Sequence, residues 1–162
     1  MLIQIFTTGG TFDKVYYDAL SDFQIGEPMV PALLQEARVQ FEYQLESLTK
    51  KDSLELTDAD RALIQERVSK SAARHILITH GTDTMTTTAA VLQHIKGKVI
   101  VLTGAMQPAR MRDSDAAFNL GLAVGALQTL PAGVYIAMSG RIFEANQVQK
   151  NRAAGYFEPI TE

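Results

Sequence analysis

The chain contains no cysteine, which excludes a disulfide framework and any site built on thiols. It also lacks a block of like charge. Its 15 basic and 18 acidic side chains give the 162 residues a net charge of −3, which offers no electrostatic argument for a nucleic-acid partner. No apolar run approaches the roughly 18 residues that a membrane span needs. Met1 leads straight into a predicted strand rather than into a signal peptide. These absences predict one soluble, cytoplasmic domain without nucleic-acid or membrane partners.

Two kinds of apolar segment alternate along the chain. Short runs typical of strands are followed by longer stretches whose apolar residues recur at helical spacing. The predicted strands are 2–6, 39–43, 76–79, 99–102 and 133–138, and the predicted helices are 28–37, 57–71, 86–95 and 114–128. This order predicts an α/β fold: a doubly wound, mostly parallel sheet with helices on both faces, in a single domain over residues 1–162.

The helix at 57–71 has the clearest start signal. Thr57 places a hydroxyl three residues before the carboxylate of Asp60, which is a variant of the capping box. The inner edge of this helix is expected to comprise Leu63, Ile64, Arg67 and Val68. Asp113–Asp115 is expected to cap the later helix at 114–128.

Two short polar strings follow predicted strands. The first is Thr7–Thr11, with two central glycines, and the second is His80–Met85. Ligands of open α/β sheets bind beyond the carboxyl ends of the strands, so Thr11, Thr82 and Asp83 are expected at one pocket. Hydroxyls beside a carboxylate are suited to nucleophilic acyl transfer.

Each string also has a purely structural interpretation. The first suits an ordinary tight turn, and Asp83 or Thr84 could simply cap a helix. A phosphate cradle or a nucleotide-binding domain is the other alternative. The glycine patterns of the phosphate-binding loop and of the dinucleotide fold are both absent. Spacing alone leaves these interpretations open.

The remaining candidates are three histidines and one lysine. His75, His80 and His94 do not form a convincing metal-ligand set, and His80 is expected to have a buried or supporting role. Lys150 follows irregular sequence and is typical of a solvated charge. It gains a chemical role only if the chain folds back toward Thr82.

Taken together, these segments resemble the bacterial-type L-asparaginase and glutaminase-asparaginase family over nearly the whole chain. The resemblance rests on Thr8–Thr11, on His80–Met85 residue for residue, and on Gly104–Pro108 and Phe118–Leu120, all in the family's order. It implies an amidohydrolase that releases ammonia from the side-chain amide of L-asparagine or a related small amide. It implies no metal and no organic cofactor.

The resemblance also implies roles for individual residues. Thr11 is the expected nucleophile, and Thr82, Asp83 and Lys150 form a second catalytic group. Tyr17, with Tyr16 as the alternative, is expected to assist Thr11. The expected substrate-binding residues are Gly10, Ser53, Leu54, Gly81, Thr82, Asp83, Ala105 and Met106. Asp83 is also the candidate to hold the substrate's α-ammonium.

The chain departs from the family pattern in two respects. Leu54 is apolar where the family commonly has glutamine or serine, and Glu55 adds negative charge beside an anionic substrate. The sequence stops about where the linker to the family's second α/β domain is expected, so the chain is expected to be either a natural one-domain form or a fragment. A homodimer is expected to cover the surface that this domain would face. These departures keep two alternatives open: a small amino-acid-binding or regulatory module with little turnover, and an amidase for a different substrate.

Overall fold

The computed structural model describes residues 1–161 and forms one α/β domain around a six-stranded sheet. The sheet order is β4-β1-β5-β6-β7-β8, in which the first five strands are parallel and β8 is antiparallel to β7. These strands are β1 (Leu2–Gly9), β4 (Glu42–Lys51), β5 (His75–Thr79), β6 (Val99–Thr103), β7 (Gly133–Met138) and β8 (Arg141–Glu144). The predicted fold class, a mostly parallel sheet in a single domain, is confirmed.

Within residues 1–161, four α-helices cover the sheet, two on each face. They are α1 (Val30–Glu36), α2 (Asp58–Lys70), α3 (Met85–Leu92) and α4 (Ala116–Thr129). Buried residues of α2 and α3 share a core with one face of the central strands, and those of α1 and α4 share a core with the other. No helix within residues 1–161 combines the length and apolar character that crossing a membrane requires.

In the described part of the chain, two antiparallel ribbons lie outside the main sheet. One joins β2 (Lys14–Tyr17) to β3 (Asp22–Ile25), and the other joins β9 (Val148–Asn151) to β10 (Tyr156–Pro159). Neither ribbon was predicted, because strands of only four residues are too short to show a clear alternation of apolar and polar residues. Both ribbons approach the carboxyl-end edge of the parallel strands.

The predicted elements differ from the structure in two further places. The strand expected at 39–43 is instead Glu42–Lys51, an edge strand whose exposed face carries charged side chains. The capping box of Thr57 and Asp60 is confirmed, yet Leu63 is 38% exposed and Arg67 is exposed too. The buried face of α2 is formed by Arg61, Ile64 and Val68, because these positions recur at helical spacing and Leu63 does not.

Candidate active site

The loop after β1 is held against the loop after β5 by direct contact of their backbones. Gly10 has φ 78°, and a Cβ added to it would lie 2.5 Å from both the Cα and the backbone nitrogen of Gly81. Only glycine fits such a contact and such a φ without strain. Thr11 follows at once, half-buried, in a short 3₁₀ turn over Thr11–Asp13. The predicted convergence of the two strand-end loops is therefore present in the fold.

The loop after β5 carries Thr82 and Asp83, and Lys150 reaches both from β9. Lys150 Nζ lies 2.8 Å from Thr82 Oγ1 and 2.8 Å from Asp83 Oδ1, although the chain positions are 68 and 67 residues apart. Arg152 Nε approaches the same Asp83 oxygen at 3.5 Å. The structure thus brings together the three side chains that the family resemblance placed in one group.

The ribbon of β9 and β10 explains how Lys150 reaches this position. Val148, Lys150 and Phe157 share one face of the ribbon, because Lys150 is paired with Phe157 and side chains alternate along a strand. Val148 and Phe157 are 3% and 2% exposed in the core. Because Val148 and Phe157 are buried, this face of the ribbon points toward the domain. Lys150, on the same face, therefore points toward the loop after β5.

The third component is the turn after β4, which contains Ser53. Ser53 is 1% exposed, and its Oγ has no hydrogen-bond partner within the described chain. A Cβ on Gly81 would lie 2.8 Å from this oxygen, so Ser53 contacts the loop of Thr82 directly. Thr84 Oγ1 donates to the Ser53 carbonyl at 2.8 Å. Leu54, by contrast, is 65% exposed.

The loop after β6 supports the same edge. A Cβ on Gly104 would collide with the carbonyl oxygen of His80, so the two loops lie in contact. Ala105 is buried, and the Met106 backbone N–H donates to Asp115 at 2.9 Å. Asp115 makes no side-chain cap to α4; Ala116 N donates to Ser114 Oγ instead. The expected capping by Asp113–Asp115 is therefore only partly correct, since Asp115 holds the loop.

The two tyrosines lie on the β2–β3 ribbon and are largely exposed. Tyr16 is 49% and Tyr17 43% exposed, and Tyr16 contacts Phe23 with ring centroids 5.2 Å apart. Among the hydrogen bonds within residues 1–161, none joins either phenol to Thr11. The structure therefore does not bring a tyrosine into hydrogen-bonding contact with the predicted nucleophile.

Asp13 is a buried acid that the sequence analysis missed. Its side chain accepts a hydrogen bond from Met29 N at 2.9 Å, and its carbonyl accepts one from Gly26 N at 2.8 Å. Burial raises the pKa of Asp13 to about 6, although the Met29 N–H and the charge of Arg110 act in the opposite direction. These two hydrogen bonds close the base of the β2–β3 ribbon. A lone aspartate in a polar stretch gave no signal of this role.

The histidines lie in three different environments. His80 is fully buried, as expected, His75 begins β5, and His94 contacts Gln65. Within residues 1–161, no group of three or more His, Asp and Glu side chains could together hold a metal ion.

Comparison with known proteins gives the family. The family model described as "Asparaginase, N-terminal" matches residues 2–157. The chain therefore belongs to the asparaginase family. Within that family, the matched part is the N-terminal domain.

Individual relatives agree with this assignment. A glutaminase-asparaginase from Acinetobacter glutaminasificans is 36% identical over 110 residues, which are 65% of this chain and 32% of the relative. A component of the glutamyl-tRNA(Gln) amidotransferase from Methanococcus vannielii is 43% identical over 81 residues, which are 49% and 19% of the two chains. The thermostable L-asparaginase from Thermococcus kodakarensis superimposes with a TM-score of 0.84 at 25% identity, over 99% of this chain and 51% of that one. The chain spans about half of that solved structure and a third or less of the other two relatives.

Proposed function

We propose that this domain hydrolyses the side-chain amide of L-asparagine or of a related small amide, with Thr11 as the nucleophile. The observation that carries the proposal is the contact of Lys150 with Thr82 and Asp83, at the same sheet edge as the Thr11 loop. Membership of the asparaginase family supports the reaction class.

The proposed reaction proceeds in two steps. Thr11 Oγ attacks the amide carbon, the Oγ proton passes to the leaving nitrogen, and the C–N bond breaks to release ammonia. Water then attacks the resulting ester and frees Thr11. We assign the proton transfers to Lys150 acting through the Thr82 hydroxyl, because Lys150 Nζ lies within hydrogen-bond reach of that oxygen. Backbone N–H groups of the glycine loops are the candidates to stabilise the oxyanion.

Substrate binding is assigned to the groups around this contact. Lys150 and Arg152 both approach Oδ1 of Asp83, so we assign Oδ2 to the substrate's α-ammonium. The buried, unpartnered Ser53 Oγ is the candidate donor to its α-carboxylate. Ala105 and Met106 are assigned to one wall of the proposed substrate pocket, beside Thr82. Tyr17 is proposed to assist Thr11 only when the ribbon closes over a bound substrate.

Ammonia release from L-asparagine and L-glutamine tests this proposal. Thr11→Ala should abolish release, whereas Thr87→Ala, at an exposed threonine of α3, should leave it unchanged. Lys150→Met should reduce kcat by more than about 100-fold, and Lys96→Met, at an exposed lysine, serves as its control. Activity retained by Thr11→Ala contradicts the assigned nucleophile.

A second candidate function is a binding or regulatory module with little turnover. Leu54 favours this second function, because it is apolar where the family commonly has a polar residue and its side chain is 65% exposed. Calorimetric binding of L-asparagine to the wild-type chain, without ammonia release, would support this alternative. An amidase for a different substrate predicts neither binding nor release with L-asparagine and L-glutamine, and release from another small amide.

We further propose that the chain forms a homodimer. An apolar groove between α1 and α4 supports this proposal; it is lined by residues that include Leu33, Val39, Leu120 and Val124. Multi-angle light scattering at micromolar concentration measures the mass directly. A monomeric mass contradicts the proposal, and a dimeric mass that Val124→Glu reduces to a monomer supports it.

A further inference from the structure

A chain of buried polar side chains lies directly behind the Thr82–Asp83 turn. His80 Nδ1 is 2.6 Å from the Gly81 carbonyl oxygen, and its Nε2 is 2.7 Å from Thr88 Oγ1 on α3. Arg61 Nε on α2 is 3.3 Å from the same Thr88 oxygen. The guanidinium also donates to the Leu56 carbonyl at 3.2 Å. The three side chains link α2, α3 and the loop after β5.

The donor and the acceptor can be assigned for each hydrogen bond that links Arg61, Thr88, His80 and the Gly81 carbonyl. Arginine can only donate, so the Thr88 oxygen accepts from Arg61 Nε. The Gly81 carbonyl oxygen can only accept, so His80 Nδ1 must carry the hydrogen that it donates there. In a neutral ring Nε2 then carries no hydrogen, and it accepts the hydroxyl hydrogen of Thr88.

The charge state of His80 agrees with these hydrogen-bond directions. Burial lowers the pKa of His80 to about 4 and the positive charge of Arg61 lowers it too, while the hydrogen bond to the Gly81 carbonyl acts in the opposite direction. The ring is therefore neutral at pH 7. Asp58, whose Oδ1 is 3.9 Å from Arg61 Nη1, is the acidic group beside the arginine.

The backbone around His80 leaves the turn little freedom. A Cβ on Gly10 would lie 3.2 Å from the carbonyl carbon of His80, and Gly104 contacts its carbonyl oxygen. His80 thus fills the junction of three strand-end loops. A change in its ring orientation would be transmitted to Gly81, the residue before Thr82.

We propose that the Arg61–Thr88–His80 chain is a positioning device for the Thr82–Asp83 turn. By holding His80 as the Nδ1–H tautomer and pinning the Gly81 carbonyl, it keeps Thr82 and Asp83 within reach of Lys150. None of the three residues touches the reacting atoms. The effect on turnover rests on the proposed function, but the tautomer and the turn geometry do not.

The tautomer is tested first, by 15N NMR of the imidazole rings in the wild-type protein at pH 7. The chain has three histidines, so His75→Gln and His94→Gln assign the His80 signals. We expect a protonated Nδ1 and an unprotonated Nε2. A protonated Nε2 overturns the inference, and this readout requires neither enzyme activity nor a destabilised variant.

Turnover is tested with Thr88→Val, which keeps the shape of the side chain and removes its hydroxyl. The variant loses two buried hydrogen bonds, one with His80 and one with Arg61, which predicts a fall in kcat of at least about tenfold. KM should stay within about twofold, because the substrate contacts are not removed. Thr88→Ser should restore kcat, and Thr87→Val, one residue earlier and exposed, should leave it unchanged.

The outcomes separate the inference from the proposed function. A wild-type chain that releases no ammonia argues against the proposed function. The amide chemical shifts of Thr82 and Asp83 then decide the positioning role. Shifts that move in Thr88→Val, return in Thr88→Ser and stay constant in Thr87→Val support it. Shifts or kcat unaffected by Thr88→Val overturn it.

Discussion

Replacing Asp13 by asparagine should stabilise the domain at neutral pH. The carboxylate is 1% exposed, and burial raises its pKa from 3.8 to about 6. Asparagine keeps an oxygen that accepts from Met29 N, as Oδ1 of Asp13 does at 2.9 Å, and it carries no charge. The variant therefore retains the hydrogen bond at the base of the β2–β3 ribbon and removes the cost of a buried charge.

The direction and size of the effect follow from proton linkage. A folded-state pKa above the unfolded one gives stability that is fully present below pH 3.8 and is lost as the pH rises through 6. A shift of about two units corresponds to about 3 kcal/mol at high pH. Between pH 4.5 and pH 8, the stability of Asp13→Asn relative to wild type should increase by about 2 kcal/mol.

Urea unfolding at several pH values measures this difference. His80 also makes stability depend on pH, because its lowered pKa reduces the free energy of unfolding as the pH falls below 6.5. This contribution is the same in both proteins, so it cancels in the difference between them. Asp113→Asn, at an exposed aspartate, is the matched control and should show no such trend. A difference that is constant with pH, or that favours wild type more at pH 8 than at pH 4.5, would refute the reasoning.

Two stability predictions concern single glycine and capping positions. Gly10→Ala should destabilise the fold by about 2–4 kcal/mol and abolish activity, because its Cβ would displace Gly81. A destabilisation below about 1 kcal/mol in calorimetry would contradict the described contact. Gly97→Ala, with a similar φ of 75° but no atom within 4 Å of the added Cβ, should cost only about 1 kcal/mol and leave activity intact. Thr57→Ala should cost about 1 kcal/mol in urea unfolding, because it removes the side-chain acceptor for Asp60 N; an unchanged midpoint would mean that the capping box adds nothing.

Residues that act locally could be predicted from the sequence. Thr57 and Asp60 lie three positions apart, and their capping box is present in the structure. The apolar runs of the central strands identified the parallel sheet, because strands buried on both faces read as continuous hydrophobic segments. The edge strand Glu42–Lys51 was placed too early and too short, because its charged outer face interrupts the apolar pattern.

Long-range contacts of the site could be predicted only in part. Thr11 and Thr82 follow strands, so the topology of a parallel sheet was enough to expect them at one edge. Lys150 was only a conditional candidate, since a polar four-residue strand carries no usable periodicity and its contact spans 68 residues. The role of Asp13 depends on Met29, which reaches it only after the chain has turned through an unpredicted ribbon.

The two ribbons at the site differ in how firmly the domain holds them, and hydrogen exchange should separate them. The ribbon with Lys150 is anchored by buried Val148 and Phe157, so its amides should open together with the core. The ribbon with the tyrosines is fastened mainly at its base, and Tyr16, Tyr17 and Leu20 are 49%, 43% and 60% exposed. Its amides should exchange through low-energy local opening. One side of the candidate site is therefore preorganised before any ligand arrives, whereas the proposed closure of the other side would cost conformational entropy.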